Sequence, residues 1–354
     1  MTADIEGAPD SLLGTLVGSW VIEEKLGSGG MGVVYRARNR HLGRVDAIKM
    51  LKKDVNSSME FRKRFEKEAR AAAGIQHPNV VRIYAVEFDP DLQQQYMVME
   101  YIDGPDLGAV SDKGPMDHAR AMRIFAETAA ALSAVHENGL VHRDVKPENV
   151  LLRNAGTKTE QALLTDFGIA KAVDSQTALT LGAIGTPDYM SPEVANLEDA
   201  TARSDQYALG AILYRMLSGE RLFEGHEVPK AHRDEALPDL LEKLPSSNRA
   251  LRAAITRSLE KDPANRFPTV AAFAAAVRES QEAPSDSRPP LQTLMEEILS
   301  ESGPLAAPEL ADRINVRLPD DDAGVTALQV EGRARLFAQL FHRRPDGRIA
   351  VRAL

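Results

Sequence analysis

The chain has no cysteine among its 354 residues, which excludes disulfides and thiolate chemistry and fits a reducing compartment. It also lacks any run approaching the roughly 18 apolar residues that a membrane helix needs. The longest candidate, Tyr207 to Leu217, is broken by Gly210 and Arg215. No basic stretch followed by an apolar one stands at the N-terminus, so no secretory signal is read there, and the expected location is the cytoplasm, with no membrane partner. Basic charge is in deficit. The 43 Lys and Arg against 52 Asp and Glu leave a formal net charge of -9, which argues against nonspecific nucleic-acid binding by the molecule as a whole. What remains, 43% hydrophobic and 27% charged residues, is the composition of a soluble globular protein. It is long enough for two domains or for one two-lobed unit with an appendage.

Residues 1–17 read as a flexible leader with scattered Gly and Pro. From Trp20 the pattern is strand, glycine-rich turn, strand: Trp20 to Leu26, then Gly27-Ser28-Gly29-Gly30-Met31-Gly32, then Val33 to Arg38. Glycines at 27, 29 and 32 let backbone N–H groups approach a polyphosphate. In a dinucleotide fold such a turn opens a helix, whereas Val33, Val34 and Tyr35 are strand formers and a further strand, Val45 to Met50, follows. Lys49 interrupts that apolar strand, where a lysine either snorkels to water or meets an anion. Residues 59–74 read as a helix carrying Glu68, followed by strands over His77 to Tyr84 and Tyr96 to Tyr101. Farther on, Asp144 and Asn149 flank Lys146 in Val141-His142-Arg143-Asp144-Val145-Lys146-Pro147-Glu148-Asn149, and Asp166-Phe167-Gly168 follows. These groups can place a base, a cation and metal-facing oxygens around a phosphate.

Together these segments resemble the bacterial branch of the eukaryotic-like (Hanks-type) serine/threonine protein kinases. The glycine loop, Ala47-Ile48-Lys49, Glu68 at the helix-C position, the 141–149 loop, Asp166-Phe167-Gly168 and Ser191-Pro192-Glu193 occur in the family's order. Ser191 replaces the more usual Ala. The resemblance implies an α+β, bilobal kinase fold over residues 18–280. Its N-lobe (18–101) would be an antiparallel sheet with helix C, and its C-lobe (102–280) mainly helical. A Pro- and Ser-rich linker at 281–290 and a small α/β module at 291–354 would follow.

By the same resemblance Lys49 holds the ATP phosphates while Glu68 orients it, and Asn149 and Asp166 hold Mg2+, with Mn2+ an alternative. Asp144 accepts the acceptor hydroxyl's proton, and Lys146 neutralises the moving phosphoryl group. ATP-binding positions are Leu26, Gly27, Ser28, Gly29, Gly30, Met31, Gly32, Val34, Ala47, Lys49, Leu151, the gatekeeper Met99, and the linker backbone at Glu100 and Ile102. Lys146, two places after Asp144, implies protein substrates with Ser or Thr acceptors. Arg143 wants an anion, and a phosphate on Thr177 or Thr180 of the activation loop would supply it. Thr186 is expected to contact Asp144 and Lys146. Architectural roles fall to Asp205, anchoring the catalytic-loop backbone from a helix opened by Ser204, and to a Glu193–Arg266 pair. The family also implies a homodimer through the N-lobe.

In the C-terminal stretch, helices are read at 291–302, 308–314 and 332–341, then a hairpin over 344–352 with an Asp346-Gly347 turn. This weakly resembles a winged helix. From Arg333 to Arg352 six arginines (333, 335, 343, 344, 348, 352) face the single acid Asp346. The module is therefore expected to dock on protein, within the chain or on a partner, with DNA phosphates the competing ligand. Two other readings compete with an active kinase: a nucleotide-binding pseudokinase scaffold, opposed by the full set Lys49, Glu68, Asp144, Asn149 and Asp166, and a kinase-linked transcriptional regulator acting through the module.

Overall fold

A computed structural model describes residues 12–29, 32–51, 59–166, 187–224, 227–238, 243–244, 249–282, 291–317, 330, 334 and 341–351. Gly30, Met31, Phe167, Gly168, Thr177, Thr180, Thr186, Arg333, Arg335, Arg352 and most of the helix expected over 332–341 lie outside them. The chain divides into two compact units, one reaching to residue 283 and the other containing residues 284–354.

The first unit opens with an antiparallel sheet of six strands: β1 (Leu16–Val17), β2 (Trp20–Ser28), β3 (Gly32–Asn39), β4 (Val45–Leu51), β5 (Ile83–Asp89) and β6 (Gln94–Glu100), in the order β1-β2-β3-β4-β6-β5. Helix α1 (Met59–Ala73) connects β4 to β5. Period-two alternation decides what each face carries. Ile48 and Met50 of β4 join Trp20, Ile22, Tyr35, Ala37, Tyr96 and Val98 in one apolar cluster. Ala47, Lys49 and Leu51 take the opposite face, where Leu51 packs with Phe65, Ala69 and Ala72 of α1 and with Met97.

Two expectations shift here. Leu16–Val17, read as leader, pair with Trp20 and Val21 because Val17 is fully buried. Gly18, at φ +56, turns the chain over the Tyr96 hydroxyl, where an added Cβ would lie only 2.1 Å away. The strand expected over His77 to Tyr84 begins only at Ile83. Before it Pro78, with no N–H for a ladder, sits in a turn, and Val80 makes a single bridge to Leu164.

The remainder of the unit is mainly helical: α2 (Leu107–Ser111), α3 (His118–Glu137), α4 (Pro192–Ala195), α5 (Ala202–Ser218), α6 (Val228–Asp234), α7 (Arg249–Ser258) and α8 (Val270–Glu282). Strands β7 (Val150–Arg153) and β8 (Gln161–Leu164) form a hairpin between α3 and α4. Helix α5 is the hub. Every residue from Ser204 to Met216 is buried, the signature of a helix enclosed on all sides. Tyr207, Leu209, Ile212 and Leu213 share one core with Phe125 and Leu132 of α3, Ile255 of α7 and Phe273 of α8. Ser204 does not cap α5 as expected. Thr201 is the N-cap, and Ser204 lies one turn in, its hydroxyl accepting from the Thr201 amide at 3.0 Å and donating to Glu193 at 2.6 Å.

Arg266, 1% exposed, forks onto Glu193 with bonds of 2.9 and 2.8 Å. It also donates to the backbone carbonyls of Glu260 and Arg203, so the buried charge is saturated with acceptors. Burial alone would push the Glu193 carboxyl up, but the Arg266 fork and the Ser204 hydroxyl outweigh it and hold the group below the usual range. Stability from this pair is therefore present above the unfolded carboxylate pKa and lost as pH falls through the folded one.

The second unit contains α9 (Leu291–Ser302), α10 (Ala307–Arg317) and the antiparallel strands β9 (Phe341–Arg343) and β10 (Ile349–Val351). Met295, Ile298, Leu299, Leu310, Ile314, Phe341 and Ile349 form its core, and Leu305 bridges to Ile349. The hairpin begins earlier than read from the sequence, because Phe341 is a buried strand residue, 1% exposed. Gly347, at φ +84, supplies the left-handed turn position. Among the described residues no helix is long and apolar enough to cross a membrane.

Arg266→Ala leaves a buried carboxylate without its partner and is expected to destabilise the first unit by about 3–5 kcal/mol. Urea unfolding of the full chain measures this. Replacing Arg266 and Glu193 together by Met and Leu should cost less than the single change. A loss below about 1 kcal/mol for Arg266→Ala would contradict the role assigned to the pair.

Candidate active site

The loop between α3 and β7 takes its shape from Asp205, a buried carboxylate near the start of α5. Its Oδ2 accepts from the His142 amide at 2.8 Å and its Oδ1 from the Arg143 amide at 2.9 Å, while His136 of α3 donates Nε2–H to Oδ2 at 2.8 Å. These bonds hold Arg143 at φ 64, an unusual backbone region for a long side chain. His142 is fully buried, and burial lowers its pKa, so its ring is neutral. Its Nε2 lies 2.9 Å from the Thr165 carbonyl, which can only accept. The proton is therefore on Nε2, and Nδ1 accepts from the Asp144 amide at 3.3 Å. One histidine thus ties the Asp144 loop to the strand end that carries Asp166.

The Asp144 carboxylate is shared. Its Oδ2 is 3.1 Å from Lys146 Nζ and 3.1 Å from Asn149 Nδ2, which also donates to the Asp144 carbonyl at 2.7 Å. Asn149 sits in a 3-10 turn, Pro147–Asn149, and its own carbonyl receives the Thr165 amide. Asp166 follows directly, at φ 56. Asp144, Lys146, Asn149 and Asp166 are therefore brought to one place by short backbone links.

Across from them, Lys49 projects from the sheet face that alternation assigned to it. Its partner is Asp166, with Nζ to Oδ1 at 2.8 Å, rather than the expected Glu68. Glu68 accepts instead from Arg143 Nη1 at 3.3 Å. Burial pushes the Glu68 carboxyl up, and Arg143 offsets only part of this. Both pairs are partly exposed, at 17% and 28% for Lys49 and Asp166 and at 31% and 25% for Arg143 and Glu68, so each is readily exchanged.

Val34, Ala47, Met99, Ile102 and Leu151 meet in one apolar cluster with Leu163, and Leu26 is exposed at its strand end. Glu100 holds Arg153 at 2.5 Å. The glycines of the turn differ in role. A Cβ on Gly32 would collide with the Met50 carbonyl at 2.2 Å, so Gly32 is needed by the sheet itself, whereas Gly27 and Gly29 face open space. An apolar cluster beside a turn whose Gly27 and Gly29 face open space, next to a lysine and the hard oxygens of Asp166 and Asn149, fits ATP with a divalent cation.

The sequence reading had no role for His136, for the His142 bond to Thr165, or for a second buried histidine, His232. Histidines carry no spacing signal of their own. Only the packing of α3, α5 and α6 reveals what these contact.

Residues 20–278 match the family model described as protein kinase domain. The chain is 36% identical over 270 residues to serine/threonine-protein kinase PknJ of Mycobacterium tuberculosis, covering 74% of this chain and 45% of that protein. It is 38% identical over 296 residues to serine/threonine-protein kinase pkn2 of Myxococcus xanthus, covering 81% and 35%. It thus spans less than half the length of these two relatives. The crystal structure of the Mycobacterium tuberculosis PknI kinase domain superposes with a TM-score of 0.60 at 27% identity, covering 75% of this chain and 98% of that one. The matched segment contains Lys49, Glu68, Asp144, Asn149 and Asp166 within the two-lobed fold described above, and the chain belongs to the protein kinase family.

Proposed function

We propose that the chain is a serine/threonine protein kinase that moves the γ-phosphoryl group of ATP onto Ser or Thr hydroxyls of proteins. The observation that carries this reading is the Asp144 carboxylate, held by Lys146 and Asn149 beside Asp166. The acceptor oxygen forms its bond to γ-phosphorus as the bond to the β-phosphate oxygen breaks, and the hydroxyl proton passes to Asp144. Lys146, already at Asp144, is placed to neutralise the transferring group. Little nucleophile charge develops in a loose transition state, so alignment matters more than base strength. Asn149 and Asp166 would hold Mg2+, which supplies charge neutralisation at the phosphates. Val34, Ala47, Met99 and Leu151 would enclose the adenine.

The pairs seen in the structure then describe a state that ATP must rearrange. With ATP bound, Lys49 would exchange Asp166 for the phosphates and Glu68, leaving Asp166 to hold the metal. Arg143 loses Glu68 and takes a phosphothreonine at 177 or 180 in its place, a charge-assisted switch in the activation loop.

The second unit reads as a winged-helix-like docking module for protein. The bridge from Leu305 to Ile349 supports this, adding a third strand position to the hairpin. Between residues 291 and 354 ten acids outnumber eight arginines, which disfavours a phosphate backbone as the partner.

Three measurements test these readings. With labelled ATP and Mg2+, the wild type is expected to incorporate phosphate, at Thr177 or Thr180 among other sites, and Asp144→Asn is not. Equal incorporation in both would end the assignment, and an unchanged autoactivation lag in Thr177→Ala/Thr180→Ala would end that of the switch. Arg143→Gln removes the competitor for Glu68, so unphosphorylated protein should bind a fluorescent ATP analogue about two- to five-fold tighter, the worth of a half-exposed pair. The same change in a Glu68→Gln background should have no effect, and no tightening in the single variant rules out the exchange. Finally, the full chain should show no salt-sensitive binding to a labelled duplex DNA. Binding that is abolished by Arg343→Glu/Arg344→Glu would replace the protein-docking reading with a nucleic-acid one.

A further inference from the structure

Residues 187–190 lead into α4, and Arg215 links Tyr189 to Asp112 at the end of α2, a helix that packs on the catalytic-loop turn Pro147–Asn149, where a Cβ on Gly108 would lie 3.3 Å from Glu148. On the kinase reading, a peptide whose hydroxyl reaches Asp144 runs along this segment. Three side chains hold it from the α5 and α6 side. Arg215 of α5, 4% exposed, donates to the Tyr189 hydroxyl and to the Asp112 carboxylate. Arg221 pairs with the Asp188 carboxylate at 2.8 Å. The third is His232 of α6, which has no exposed surface.

The His232 ring is bonded at both nitrogens. Nε2 lies 2.9 Å from the Asp188 carbonyl oxygen, and Nδ1 lies 2.9 Å from the Tyr207 hydroxyl of α5. A carbonyl only accepts, so Nε2 carries a proton. Burial lowers the ring's pKa to about 4, which leaves Nδ1 without one, and Tyr207 is therefore the donor there. Phe223 and Tyr207 enclose the ring edge-on, with centroids at 4.9 and 5.6 Å. Lys261 closes the far side, donating to the His232 carbonyl at 2.6 Å and lying over Phe223 at 4.9 Å. Orientation and position of the ring are set by α5 and its neighbours, its tautomer is set by the Asp188 carbonyl, and its single N–H donor goes to Asp188.

We propose that His232 is a positioning residue for the protein substrate: by holding the Asp188 carbonyl it fixes the backbone of residues 187–190, against which the acceptor peptide lies. It acts through Asp188 and does not touch the reactants, so it should govern how well acceptor protein binds and leave ATP handling alone. This rests on the kinase reading above.

Steady-state kinetics of the full chain with myelin basic protein as acceptor test it. His232→Asn keeps an amide near Nδ1 but cannot reach Asp188, whereas His232→Gln returns an N–H close to the Nε2 position. The expected result for His232→Asn is an acceptor KM raised by about five-fold, the order of one lost hydrogen bond, with the KM for ATP within about two-fold of wild type. His232→Gln should recover most of the loss. Acceptor and ATP KM values that rise together, or a Gln variant no better than Asn at equal melting temperature, overturn the proposal. Should His232→Asn fail to fold, Tyr207→Phe removes only the hydroxyl that donates to Nδ1 and holds the ring turned toward Asp188. A raised acceptor KM there supports the role and an unchanged one overturns it. A wild type that incorporates no phosphate overturns the kinase reading and this proposal with it, before any variant is compared.

Discussion

The catalytic loop depends on one buried carboxylate. Asp205 accepts two consecutive backbone amides, of His142 and Arg143, and the imidazole of His136. Left unmet, two buried N–H groups and a buried charge would each cost on the order of a hydrogen bond or more. Met together, they keep Arg143 in a left-handed conformation that its side chain would not otherwise favour. Asp205 can do this because α5, its own helix, is enclosed by the core on every side. The rigidity of the loop is thus borrowed from a helix buried along most of its length.

A second constraint acts on the sheet side. Alternation in β4 puts Lys49 on the same face as Ala47 and Leu51, between the apolar cluster and the α1 packing. The lysine there pairs with the Asp166 carboxylate. Glu68 turns to Arg143, a partner that compensates its burial only in part. Neither pair is buried deeply enough to be locked, so each can be exchanged for another partner at small cost.

Legibility differed by element in ways that have physical causes. That Asp144, Lys146, Asn149 and Asp166 lie together was readable because they fall in two short stretches linked by local backbone geometry. Val34, Ala47, Met99, Ile102 and Leu151 were named from the family resemblance, and the fold does cluster them. The partner of Glu68 was not readable, because an ion pair between elements 75 residues apart depends on where α1 settles against the catalytic loop. Ser204 looked like a cap by type, yet Thr201 takes that place and frees Ser204 to bond Glu193. Val17 carried no strand signal, since two residues have no period; its burial came from the sheet it joins.

The sequence by itself determined the family and the order of the lobes, because each is encoded in contiguous motifs and in hydrophobic period. Tertiary structure alone decided which charges pair, which tautomers the buried histidines adopt, and that His232, in a helix with no motif, bonds the Asp188 carbonyl. Those outcomes depend on distances between segments far apart in the chain, and on desolvation that exists only once the core has closed around them.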